Sequence, residues 1–164
     1  MGIIDAAIAL FGKGGAGERE QLPEERPSND DVEPKSTILV IDDDPSVLLT
    51  VKSVLVKRGF NVLSSTSSPK GLDLLRYAAR DIRIVVLDFK MPKLNGDETL
   101  KFIKRLSPNA KIIGLTSMKF DSLPKEYVEN VDTLLSKPVV AATLIGAVDE
   151  LLGDGQKTST AVWL

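Results

Sequence analysis

Ile38-Leu39-Val40-Ile41-Asp42-Asp43-Asp44-Pro45 decides how this chain folds. Four consecutive aliphatic residues stop at three carboxylates, and a proline follows where a helix would open. An apolar run without alternation is how a strand reads when helices cover both faces of a parallel sheet. The pattern returns three times: residues 84–87 end at Asp88, residues 112–115 end at Thr116, and Leu134-Leu135 comes just before Lys137-Pro138. Reactive groups in such sheets gather at the carboxyl ends of the strands. Three carboxylates, a hydroxyl and an ammonium are therefore expected at one edge.

Between these runs the apolar period lengthens to that of a helix. Val47, Leu48, Val51, Val54 and Leu55 form one stripe, which Asp44-Pro45 caps and opens and Gly59 ends. Residues 60–63 read as a second strand, and Ser68-Pro69 opens a helix carrying Leu72, Leu75 and Ala79. Gly96 precedes a helix with Leu100, Ile103 and Leu106. A short helix is expected near residues 125–129, a fifth strand over 131–135 and a last helix over about 139–152. Alternating strands and helices of this kind predict an α/β, doubly wound, five-stranded parallel sheet. Its order would be flavodoxin-like, 2-1-3-4-5, with helices on both faces.

The 164 residues suit one domain with appendages, and a hydrophobic content of 43% is ample for its core. Residues 1–12 read as a short amphipathic helix with a stripe of Ile3, Ile4, Ala7, Ile8 and Phe11. Residues 13–36 read as a flexible acidic linker, 37–152 as the folded domain, and 153–164 as a tail ending near Trp163. No apolar stretch is long enough for a membrane span. A net charge of −2 offers no bulk attraction to nucleic acid. The chain has neither cysteine nor histidine, so thiolate chemistry, disulfides, His-based triads and its own phosphohistidine are excluded. Gly12-Lys13-Gly14-Gly15 lacks the Ser or Thr and the preceding buried strand of a phosphate loop.

In the 2-1-3-4-5 order, strands one and three are neighbours, and Asp42-Asp43 and Asp88 end side by side. Carboxylates packed that closely repel unless a cation sits among them. A hard divalent ion with oxygen ligands answers this, and Mg²⁺ keeps several waters in such a site. Lys137 can reach the same place. A metal and an ammonium facing a carboxylate suit phosphoryl transfer, with Asp88 as the nucleophile that becomes an aspartyl phosphate. Each signature alone has a plainer reading. Asp42-Asp43-Asp44 can be a loop with a helix cap, Thr116 a strand-end hydroxyl, and Lys137 a solvated lysine.

Together, in order, ILVIDDDP, VVLDFKMPKLNG, IIGLTS and LLSKP make residues 36–152 resemble the response-regulator receiver domain of two-component signalling. The resemblance implies that Asp88 is the phosphoacceptor and that Asp43 binds Mg²⁺ directly. Asp42 would bind it directly or through water, and the backbone carbonyl of Lys90 would complete the protein ligands. It further implies that Lys137 pairs with the phosphoryl group, that Thr116 turns its hydroxyl onto it, and that Pro138 follows a cis peptide bond. Where receivers often carry an aromatic, three residues before the lysine, this chain has Leu134, so its output surface is expected to switch by another packing change. Lys90 would place a cationic side chain beside the phosphoryl site. The expectation is a stand-alone cytoplasmic receiver, not an enzyme. It would be phosphorylated by a histidine kinase or histidine phosphotransfer protein and read by a downstream protein target not identifiable from sequence, with a homodimer possible. Two alternatives are a degenerate receiver acting as a scaffold and a metal-dependent aspartyl-phosphate phosphatase. The latter would need an acid where Lys90 stands.

Overall fold

The computed structural model describes residues 35–153. Five strands alternate with five helices: β1 (Lys35–Ile41), α1 (Pro45–Lys57), β2 (Phe60–Ser65), α2 (Ser68–Tyr77), β3 (Ile82–Asp88), α3 (Gly96–Leu106), β4 (Lys111–Thr116), α4 (Lys125–Asn130), β5 (Thr133–Ser136) and α5 (Ala141–Leu152). The sheet runs β2-β1-β3-β4-β5, and every pairing is parallel. This is the predicted order.

The unalternating apolar runs now have their cause. Ile38 and Val40 face one core, with Leu48, Val51 and Leu55 of α1 and Leu144 and Val148 of α5. Leu39 and Ile41 face the other, with Leu72 and Leu75 of α2, Leu100 and Ile103 of α3 and Tyr127 of α4. Successive residues therefore both meet helices, and no polar side can appear. Residues 38–41 and 84–87 are wholly buried. The edge strands differ: Asn61 of β2 is exposed and β5 is only partly covered.

Helix starts follow local chemistry. The Asp44 carboxylate accepts from the Ser46 amide at 2.8 Å and the Ser46 hydroxyl at 2.6 Å, with Pro45 in the first turn of α1. The Asn95 side chain accepts from the Glu98 amide at 3.1 Å to cap α3, and Asp97 and Glu98 lie where the helix dipole favours acids.

Several boundaries move. The fifth strand, expected from residue 131, begins at Thr133. Val131 ends α4, and Asp132 turns the chain, its amide donating to the Ile112 carbonyl at 2.9 Å and its carboxylate accepting from the Ile112 amide at 2.8 Å. The last helix begins at Ala141, after a cis Lys137-Pro138 bond. Ala79 lies beyond the end of α2, and a 3-10 turn at Phe120–Ser122 had no sequence signal. β1 starts at Lys35, two residues before the expected domain boundary. The expected helix over 1–12, the linker up to residue 34 and the tail from residue 154 lie outside the described residues. Among the described residues, no helix is long and apolar enough to cross a membrane.

Candidate functional site

Ile41 of β1 stands in register with Leu87 of β3, so the next residues, Asp42 and Asp88, come side by side at the sheet's carboxyl edge. Asp42, Asp43 and Asp88 each place a carboxylate oxygen within 4.8 Å of the others. Asp42 and Asp88 are buried and Asp43 is exposed. β5 delivers the cation. The Lys137 amide donates to the Thr116 carbonyl at 2.8 Å, fixing the strand end, and its Nζ lies 2.7 Å from Asp42 Oδ2 and 3.0 Å from Asp88 Oδ1. Each Asp42 carboxylate oxygen has one protein partner: Oδ1 accepts from the Asp44 amide at 2.9 Å, and the ammonium faces Oδ2.

Three acids share one ammonium here, and the pocket carries two negative charges in excess when all are ionised. Burial pushes the Asp88 carboxyl up to about 6; the Lys137 hydrogen bond opposes this and the Asp42 charge adds to it. Burial alone would lower the Lys137 ammonium. The hydrogen bonds and charges of Asp42 and Asp88 outweigh that and hold it above its ordinary value. An additional hard cation is what this charge balance favours. The three carboxylate oxygens lie within 4.8 Å of one another, close enough to be ligands of one ion. The residues present therefore fit a divalent metal with oxygen ligands.

The other expected site residues are placed less tightly. Thr116 is buried at the end of β4, next to the strand that carries Asp88, and its hydroxyl oxygen accepts from the Met118 amide at 3.0 Å. Lys90 is exposed on the loop after Asp88, and its backbone amide helps hold the Asp88 charge. Leu134 is partly buried and stands opposite Gly114 of β4.

Two residues that position the site escaped the sequence reading. Gly96 had been read only as the residue before a helix. A Cβ there would lie 2.6 Å from Phe89 Cα and 2.8 Å from the Asp88 carbonyl oxygen, and its amide donates to the Phe89 carbonyl at 2.8 Å. It lets α3 close onto the loop that follows Asp88. Tyr127, on the short helix expected near residues 125–129, fills the core beside Phe89, with ring centroids 4.7 Å apart. The Asn-Gly pair at 95–96 was a visible turn signal for the first. No local signal marked the second.

Comparison with known proteins agrees with this fold. Residues 38–149 match the response regulator receiver domain family. The crystal structure of a response regulator receiver domain protein from Clostridium thermocellum superposes with a TM-score of 0.67 at 33% identity, covering 73% of this chain and 95% of that one. The chemotaxis protein CheY of Bacillus subtilis is 27% identical over 117 residues, 70% of this chain and 96% of its own length. The transcriptional regulatory protein GlrR of Escherichia coli (strain K12) is also 27% identical, but the chain spans only 28% of it. The chain likewise spans 59% of the CpxR homolog of Haemophilus influenzae. The motifs, the sheet order and the match over residues 38–149 agree: this chain belongs to the response regulator receiver domain family of two-component signalling.

Proposed function

We propose that the chain accepts a phosphoryl group on Asp88 from the phosphohistidine of a histidine kinase or histidine phosphotransfer protein. The observation that carries this is the pocket itself: a buried carboxylate whose oxygens meet a buried acid, an exposed acid and one lysine at a single sheet edge. In the transfer, an Asp88 oxygen forms a bond to phosphorus. The bond from phosphorus to the partner's imidazole nitrogen breaks, with its electron pair going to that nitrogen. The site must hold Asp88 ionised, receive an anion and tolerate its charge. Asp42, Asp43 and Asp88, with the backbone carbonyl of Lys90, are the residues that would hold Mg²⁺, and that ion would supply neutralisation of the phosphoryl oxygens. Lys137 already bridges Asp42 and Asp88, so it can follow the charge from the carboxylate to the phosphoryl oxygens with little movement. Thr116 offers a hydroxyl at the adjoining strand end.

The output in this reading is a change in contacts with a downstream protein, or with a second copy, rather than turnover of a substrate. A cytoplasmic location is part of the same proposal. The neighbouring group at position 90 is a lysine and not an acid, which disfavours a phosphatase using a second carboxylate. The test is intact mass after incubation with phosphoramidate and Mg²⁺. One phosphate should be gained by the parent chain, none with EDTA and none by Asp88→Asn. Equal phosphate uptake by Asp88→Asn would refute the assignment.

A further inference from the structure

Two buried side-chain polar atoms among the described residues have no neutral hydrogen-bond partner, Asp42 Oδ2 and the Tyr127 hydroxyl. The first faces the Lys137 ammonium at 2.7 Å. The second has no protein partner at all. Tyr127 is wholly buried, and no protein group compensates the desolvation of this hydroxyl.

The surroundings show what this phenol is seated against. Its cradle is Gly114 of β4: a Cβ there would lie 2.8 Å from the Tyr127 hydroxyl oxygen and 2.9 Å from Leu134 Cδ2. Thr116 lies two residues along the same strand, hence on the same face as Gly114. On the other side the ring packs at 59° against Phe89, the residue that follows Asp88 and whose amide donates to the Leu115 carbonyl at 2.9 Å. The charge of Asp88 reaches the phenol as well. After burial, it is the next cause that holds the hydroxyl in its neutral form, with Asp97 behind it. Tyr127 thus touches the loop of the phosphoacceptor and the strand of Thr116, and fills the space beside Leu134.

The helix carrying it is weakly held. α4 has six residues and no side-chain cap at Pro124. Beyond the packing of Tyr127 in the core it shares with Leu100 and Ile103, its polar tie to α3 is an exposed ion pair, Lys101 to Glu126 at 3.6 Å, of a kind that contributes little. A short helix anchored by one large side chain, whose polar end lacks a protein partner, would gain from any arrangement in which that hydroxyl meets water or a polar group.

We propose that Tyr127 is the coupling residue of this receiver, carrying the state of Asp88 through Phe89 to α4 and so to the α4–β5 surface. The proposal rests on phosphorylation at Asp88. The unpaired hydroxyl biases the chain away from the arrangement seen here, and the Gly114 cradle permits that arrangement to form at all.

Hydrogen exchange of the α4 amides tests this in the full chain, with and without phosphoramidate and Mg²⁺, and intact mass is read on the same samples. Tyr127→Phe keeps the ring and removes the orphan group. Without phosphate, its α4 amides should exchange roughly tenfold more slowly than the parent's. With phosphate, it should gain the same mass as the parent while the acceleration of α4 exchange seen in the parent falls by a similar factor. Gly114→Ala crowds the cradle and should accelerate α4 exchange even without phosphate, while exchange in β1 and β3 stays slow. Unaltered α4 exchange in Tyr127→Phe, in both states, would overturn the proposal. So would a parent chain that gains phosphate with no response in α4, an outcome that leaves the assignment of Asp88 intact. A parent chain that gains no phosphate would overturn both.

Discussion

Replacing Asp88 with asparagine should make the metal-free chain more stable, and only above a defined pH. In the folded chain the Asp88 carboxyl is raised from 3.8 to about 6, burial being the largest cause. An acid held above its unfolded value binds its proton more tightly when folded. Its cost is absent below about 4, grows as pH rises through the window from 3.8 to about 6, and is constant above it. A gap of this width corresponds to about 2–3 kcal/mol at roughly 1.4 kcal/mol per unit. Asparagine has nearly the same shape and never takes on the charge, and Lys137 keeps its 2.7 Å contact with Asp42. For a domain of this size the gain is roughly 6–12 °C in Tm at pH 8 with EDTA, shrinking to nothing near pH 3.5. Thermal unfolding followed by circular dichroism from pH 3.5 to 8 reads it directly. Saturating Mg²⁺ should close the gap, because the parent gains a bound ion and the variant has lost a ligand. An Asp88→Asn chain less stable than the parent at pH 8, or a difference independent of pH, would refute the charge balance assigned to this pocket.

Other outcomes follow from the same geometry. Lys137→Met leaves Asp42 Oδ2 buried without its only cation and should lower stability by about 3–5 kcal/mol in urea melts at pH 8, with part of the loss recovered by Mg²⁺. Mg²⁺ affinity, followed by calorimetry, should weaken as pH falls through about 6, as protons compete for Asp88; in Asp88→Asn it should be weaker than the parent's above about 6 and flat across that window. Gly96→Ala drives a Cβ to 2.6 Å from Phe89 Cα, backbone that cannot swing aside. It should cost about 1–3 kcal/mol and slow phosphoryl uptake by displacing the Asp88 loop.

Much of this was legible because the central strands have helices on both sides. Residues 38–41 and 84–87 show no alternation, and their polar stops mark the sheet edge where Asp42 and Asp88 meet. Strands of a parallel sheet all end at one edge, so Lys137, just after the fifth strand, falls at the edge of Asp42 and Asp88. The edge strand β5 was read two residues early. Val131 is apolar enough for a strand, but the bonds of Asp132 to Ile112 turn the chain there. Long-range packing was not legible. The fit of Tyr127 over Gly114 joins residues 13 positions apart on different elements, and only a folded sheet brings them together. Gly96 carried a turn signal, but its close approach to Phe89 depends on where α3 lands.

Peptide mapping after borohydride reduction of the phosphorylated chain tests the central claim most directly. The reagent converts an acyl phosphate to an alcohol, so an aspartyl phosphate becomes homoserine. The account predicts homoserine at position 88 alone, in the peptide spanning β3 and the loop before α3, and only when Mg²⁺ was present during phosphoryl uptake. Homoserine at position 42 or 43, or a stable phosphate on Thr116 with Asp88 unchanged, would contradict it.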